Sequence, residues 1–156
     1  MLVIGVDPGY GRVGWGVVEG EAHLVVSRGW GCIETAKESP IPARILEVSR
    51  GLNRLLDEWS PDGMALETLY FSKNVTTAMQ VAEVRGVIRL AAAEREIPVA
   101  EYAPNQIKQA VTGSGRADKR QVQEMVRRIL ALDVMPRPDD AADALACAVC
   151  HVHRTR

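Results

Sequence analysis

Short apolar runs alternate with longer stretches of helical spacing along this chain, and that alternation sets the expected architecture. Leu2-Val3-Ile4-Gly5-Val6 is a continuous apolar run of strand length, closed by the turn-forming triplet Asp7-Pro8-Gly9. Val13 to Val18 and His23 to Ser27 follow as two further strands, with Gly20 marking a tight hairpin between them. Pro40 and Pro42 introduce a helix in which Ile45, Val48, Leu52, Leu55, Leu56 and Trp59 recur at helical spacing. Ser60-Pro61-Asp62-Gly63 breaks it, and Met64 to Glu67 forms a short fourth strand. The spacing then predicts a long helix from Val75 to Glu96, a fifth strand over Pro98 to Tyr102, and a short helix from Pro104 to Ala110. Beyond the flexible stretch Thr112-Gly113-Ser114-Gly115, the residues Val122, Met125, Val126, Ile129 and Leu130 mark one face of another helix, with Lys119 in its first turn. Pro136 and Pro138 precede a last helix, Asp139 to His151. Strands first, then helices alternating with short strands, argue an α/β domain with a mixed sheet covered by helices.

Composition narrows the class. A chain of 156 residues fits a single domain, and 47% hydrophobic content supports a packed core. The net charge of −1 announces no partner, but its distribution is uneven. Residues 104–130 carry Lys108, Arg116, Lys119, Arg120, Arg127 and Arg128 against Asp118 and Glu124, a local excess of +4 (six minus two). Such a segment is either a solvated helix face or a surface for a phosphate backbone. No apolar stretch is long enough to span a bilayer. The first apolar run ends in Asp7 without a basic leader, and three cysteines suit a reducing compartment, so a cytoplasmic location is expected.

The candidate chemistry lies in carboxylates at the ends of elements. Asp7 and Glu67 each close an apolar strand, and Asp140 and Asp143 lie three apart in the helix-forming run Asp140-Ala141-Ala142-Asp143-Ala144-Leu145-Ala146. Each has a plainer explanation. Asp7 suits a turn, Asp139 an N-cap, and Asp140 the first turn of a helix dipole. Glu67 has no turn or cap to explain it, and Asp143 interrupts an Ala-rich face that would otherwise pack. Two unpaired carboxylates 4 Å apart repel by about 4 kcal/mol at an effective dielectric near 20. Convergence of these acids therefore makes sense chiefly around a cation. Hard cations such as Mg²⁺ and Mn²⁺ take oxygen ligands, a few from protein and the rest from water and substrate phosphate, which points to metal-assisted phosphodiester chemistry.

These residues stand within longer blocks that resemble the RuvC family of bacterial Holliday-junction resolvases. The blocks are Gly5-Val6-Asp7-Pro8-Gly9, Glu67 followed by Tyr70-Phe71-Ser72-Lys73-Asn74, and Gln80-Val81-Ala82-Glu83-Val84-Arg85-Gly86. Tyr102 to Gln109, Gly113 to Lys119 and Asp140 to Ala146 complete the set in family order. The resemblance implies a ribonuclease H-like fold with a five-stranded mixed sheet flanked by helices. It implies a homodimer that binds four-way junction DNA and nicks two strands of like polarity, leaving 5′-phosphates and 3′-hydroxyls. A branch-migration complex is the partner it suggests. Asp7, Glu67, Asp140 and Asp143 are the implied catalytic and metal-binding acids, with Asp139 an alternative to Asp140, and two Mg²⁺ (or Mn²⁺) ions per site. Lys108 and Lys119 match lysines that contact DNA and assist catalysis. Tyr70 aligns with an aromatic position, usually Phe, that stacks on bases near the crossover, and adjacent Phe71 could share that task. Lys73, Arg116 and Arg120 are candidate phosphate contacts. Met79, Ala82, Gly86 and Leu90 form a helical stripe that is either core or a two-fold contact.

Rival readings are weaker. Cys147-Ala148-Val149-Cys150-His151 has the spacing of a haem attachment motif, and with His153 it offers zinc ligands in principle. These residues fall in an Ala-rich helix expected to pack on the sheet, so buried cysteines are the better expectation. An actin-like ATPase or sugar kinase also begins with a strand ending in Asp before a Gly-rich hairpin, but needs a second domain to clasp nucleotide. A junction-binding module without catalysis would have no use for the complete acid set.

Overall fold

The computed structural model describes residues 1–9, 11–22, 24–68 and 74–155. The expectations placed on His23, Tyr70, Phe71 and Lys73 fall outside them. The elements, in chain order, are β1 (Leu2–Pro8), β2 (Arg12–Glu21), β3 (Leu24–Glu34), α1 (Ile41–Trp59), β4 (Gly63–Glu67), α2 (Val75–Ala93), β5 (Val99–Tyr102), α3 (Pro104–Thr112), α4 (Lys119–Ile129) and α5 (Asp139–Arg154). The five strands form one sheet in the order β3-β2-β1-β4-β5. β1 runs antiparallel to β2, and β2 to β3, whereas β1–β4 and β4–β5 are parallel. A mixed sheet with helices on both faces is therefore the architecture.

Alternation along β1 divides the core in two. Ile4 and Val6 join Val13, Val17, Met64 and Leu66 beneath α1 and α2, while Val3 faces α5 together with Val18 and Ala65. α5 lies unusually close to the sheet. Its small residues Ala141, Ala144 and Ala148 are fully buried, and the strands answer with glycines. A Cβ on Gly5 would collide with the Ala144 carbonyl, and one on Gly14 with the Asp140 carbonyl. That intimacy sets the depth at which the first turn of α5 meets β1 and β2.

Several expectations need correction. β1 does not stop at Asp7 in a turn: the strand continues through Pro8, with Asp7 opposite Gly14 on β2. Gly20 is paired within β2, opposite Val25, so the hairpin turns beyond it. β3 continues past Ser27 to Glu34, where Gly29 and Gly31 make room for the rings of Trp59 and Trp15. Asp139 is the first residue of α5, and Pro138 holds the N-cap position. A side-chain cap forms instead at α4, where Asp118 accepts from the Gln121 amide (2.8 Å) while its own amide donates to Gln121 Oε1 (2.9 Å).

Candidate active site

Three elements end at one place. The β1–β4 register pairs Val6 with Leu66, so Asp7 and Glu67 emerge side by side at the carboxyl ends of adjacent parallel strands. Gly14 opposite Asp7 lets the first turns of α5 pack overhead, and that turn presents Asp140 and Asp143. In α/β sheets, the ends of neighbouring parallel strands are a recurrent location for ligand sites.

Electrostatics confirm the crowding. Burial pushes the Asp7 carboxyl up to about 8, with Glu67, Asp143 and Asp140 each adding to the rise. Asp7 retains its proton and donates it to the Glu67 carboxylate. Glu67 is itself raised, by burial and then by Asp143, against the relief given by Asp7, Lys108 and Lys119. Burial also raises Asp143, opposed by Lys119. Such mutually destabilising acids are costly to a fold and mark functional sites.

Cations ring the acids. Lys119, the first residue of α4, places Nζ 3.5 Å from both Asp139 Oδ2 and Asp143 Oδ2. Partial burial works against its charge, but Asp143 and Asp139 outweigh it and raise the ammonium above its ordinary value. Lys108, Lys119, Glu67 and Asp143 line a cavity of about 230 Å³ floored by Ile107, Val122 and Ala146. Arg12 Nη1 stands 3.6 Å from Asp140 Oδ2. Asp139 stands at the edge of the cluster: it shares Lys119 with Asp143 and raises that carboxyl, but Arg137 Nη1 donates to its Oδ1 at 2.8 Å and it is not among the acids that perturb Asp7.

The donor set suits a hard divalent cation, being all oxygen and partly protonated for want of positive charge. Among the described residues, however, no three acid, histidine or cysteine side chains already converge as a finished cage. Asp7 and Glu67 share a proton, while Lys119 and Arg12 draw on Asp143 and Asp140. One or two protein carboxylates suffice for Mg²⁺, which keeps several waters. The fit is therefore to the Asp7–Glu67 pair first.

Arg116 and Arg120 do not line the acid cavity. They border a separate groove of about 640 Å³ with Ser114, Met125 and Arg128. Cys147 and Cys150 are fully buried in the core against the sheet, and His151 Nδ1 bonds the Tyr102 hydroxyl at 2.8 Å.

Sequence reasoning missed Arg85. It is 5% exposed, donates through Nη1 to the carbonyl of Glu67 itself, and through Nη2 to Glu101 Oε2 at 2.8 Å. Arg89 grips the same Glu101 carboxylate. The guanidinium thus ties the end of β4 to β5 and α2. A signal was present, because Arg85 falls on the buried face of α2 among Val81, Val84 and Ile88, where an arginine rarely sits without a partner. Arg12 and Arg137 were missed as well.

A family model described as crossover junction endodeoxyribonuclease RuvC matches residues 3–151. The chain belongs to the RuvC family. A RuvC from Petrotoga mobilis is 50% identical over 151 residues, covering 97% of this chain and 93% of the relative. One from Thermotoga petrophila is 49% identical over 156 residues, covering 100% and 94%. Thermus thermophilus RuvC, solved in complex with a Holliday junction substrate, superposes with a TM-score of 0.95 at 35% identity, covering 100% of this chain and 95% of that one. The yeast mitochondrial Holliday junction resolvase shares the fold at 14% identity, with a TM-score of 0.70 over 97% of this chain and 77% of its own. The ribonuclease H-like architecture implied by the sequence blocks is the one found.

Proposed function

We propose that this RuvC-family chain is a structure-selective endodeoxyribonuclease that resolves four-way DNA junctions by metal-dependent nicking of two strands of like polarity. The observation that carries the reading is the meeting of Asp7, Glu67 and Asp143 from three separate elements, beside Lys108 and Lys119. Asp7, Glu67, Asp143 and Asp140 are the proposed ligands of two Mg²⁺ or Mn²⁺ ions, with Asp140 favoured over Asp139 because it bears on Asp7. When bound, such ions supply a water of lowered pKa and neutralise charge at the scissile phosphate.

The chain's own groups do the rest. The Asp7 proton leaves as positive charge arrives, freeing both carboxylates of the pair. Lys119 stays charged beside Asp143 and, with Lys108, binds non-bridging phosphate oxygens and offsets charge that develops there. Arg116, Arg120 and Lys73 would hold backbone phosphates farther along the arms. Tyr70, with Phe71, would stack on bases unpaired at the crossover, a contact worth about 1–3 kcal/mol per base.

A homodimer would place two such sites on two strands. Met79 and Leu90 are exposed (63% and 59%), and Ala82 and Gly86 between them are exposed as well. The stripe is therefore surface, as a two-fold contact requires, rather than core. No helix among the described residues is long and apolar enough to cross a membrane; the cytoplasmic location and the branch-migration partner are proposed on the family resemblance alone. The test is cleavage of a mobile four-way junction, against a linear duplex of the same sequence, with Mg²⁺ and with chelator. Paired nicks in the junction alone, lost with chelator, support the reading. Equal cutting of the duplex, or cutting in chelator, overturns it.

A further inference from the structure

Two cavities adjoin the acids, one on each side of β1, and the α5 carboxylates divide between them. Asp143 borders the first, beyond β4, where Lys108 and Lys119 stand. Asp140, three residues earlier, borders the second, about 380 Å³ in volume, at the ends of β2 and β3. Its wall carries Arg12, Lys37 and Thr35, with Glu34 at the rim.

Arg12 differs from the surface arginines that a neighbouring carboxylate holds by hydrogen bonds. Arg28 and Arg95 donate side-chain hydrogen bonds to Glu19 and Asp57, and Arg127 and Arg128 share Glu124. Arg12 instead stands 3.6 Å from Asp140 and 3.9 Å from Glu34, beyond hydrogen-bond length to either. Half of its side chain is exposed (51%). Its planar donors are thus held over the cavity by two carboxylates and consumed by neither. Lys37 is exposed and forms no ion pair among the described residues. A planar fork and a point charge around one hollow match a phosphodiester oxygen pair.

Basic groups thus stand on both sides of the acids, Arg12 and Lys37 toward β2 and β3, and Lys108 and Lys119 toward β4 and α4. Lys108 and Lys119 serve one side only. We propose that Arg12 and Lys37 form a second backbone-phosphate subsite, which holds the cleaved DNA strand on the β2–β3 side of the cut. This deepens the nuclease reading and rests on it. The subsite explains why a basic hairpin residue and a basic residue after β3 meet at an acidic centre, far in sequence from the basic segment at residues 104–130.

The experiment is junction binding in chelator, where no cleavage intervenes, across a salt series. The proteins are the wild type, Arg12→Gln, Lys37→Gln, Arg12→Lys, and Arg12→Gln in an Asp140→Asn background. Each charge removal is expected to weaken binding about 3- to 10-fold and to lower the salt slope by about 0.7–0.9, the loss of one phosphate contact. Arg12→Lys should restore the slope. The effect of Arg12→Gln should persist when Asp140 is already neutral, because the contact is to DNA. Unchanged affinity and slope in both charge-removal variants would overturn the subsite. So would an Arg12→Gln effect that vanishes in the Asp140→Asn background, since Arg12 would then serve only as the counter-ion of Asp140. A wild type that neither binds nor nicks junctions would remove the nuclease reading, and the subsite with it. A wild type that does both, beside unaffected variants, removes the subsite alone.

Discussion

Replacing Asp7 with Asn should make the protein inactive and more stable at once. Asp7 ionises ordinarily near 3.8 but is pushed up to about 8 in the fold by burial, Glu67, Asp143 and Asp140. The folded state therefore holds a proton that the unfolded chain releases, and stability falls as pH rises from 3.8 toward 8. At neutral pH the gap is about 3 units, each about 1.4 kcal/mol, or about 4 kcal/mol of penalty. Asn carries no such charge at any pH, but its amide must be desolvated and bonded in the same space. About half of the penalty, ~2 kcal/mol, should be recovered. For a domain of this size that is a rise in melting temperature of about 4–8 °C. Scanning calorimetry in chelator should show little difference between the proteins near pH 4 and the largest near pH 8, because the penalty is absent below the unfolded pKa and complete above the folded one. Junction nicking should vanish while junction binding persists. A variant less stable than wild type at the upper end of that range, or a difference that does not grow with pH, would refute the reasoning.

Three further outcomes follow from the same geometry. Arg85→Met removes a buried charge that bonds the Glu67 carbonyl and Glu101, so urea denaturation should show a loss of about 3 kcal/mol, and nicking at saturating junction should fall with Glu67 displaced. At limiting Mg²⁺ the nicking rate should climb with pH up to about 8, as the proton shared by Asp7 and Glu67 is surrendered; a flat profile over that range would mean the pair does not hold the ion. Met79→Arg with Leu90→Arg should convert a dimer to a monomer in sedimentation velocity without changing the melting of the isolated fold, whereas an unchanged dimer would place the two-fold contact elsewhere.

Much of this was readable from the chain. Strand β5 and helices α3 and α4 lie close to where apolar spacing and proline placed them, and Asp7, Glu67 and Asp143 were marked by standing where neither packing nor a cap explained them all. The misses have physical causes. The second half of β3 was hidden because Gly29 and Gly31 interrupt its alternation, and their purpose, clearance for Trp59 and Trp15, is a tertiary fact. Asp118 was counted as charge opposing the basic segment, yet it is the cap that starts α4 at Lys119. Asp139 looked like a cap, but Pro138 occupies that position and Asp139 goes to Arg137 and Lys119. The close seating of α5 was legible from its alanines, while the reciprocal role of Gly5 and Gly14 required knowing which strands lay beneath it. Arg85 was read only as part of a motif, although its place on the buried face of α2 called for partners; which ones, the Glu67 carbonyl and the Glu101 carboxylate, only the packing of α2 on β4 and β5 shows.

The central claim is that acids from β1, β4 and α5 hold the cations that make the chain a nuclease. Anomalous diffraction from crystals grown with Mn²⁺ tests it directly. The expected result is a strong peak within bonding distance of both Asp7 and Glu67, with Asp143 or Asp140 completing it, and no peak in Glu67→Gln crystals. Mn²⁺ bound elsewhere, with no peak near Asp7 and Glu67, would contradict it.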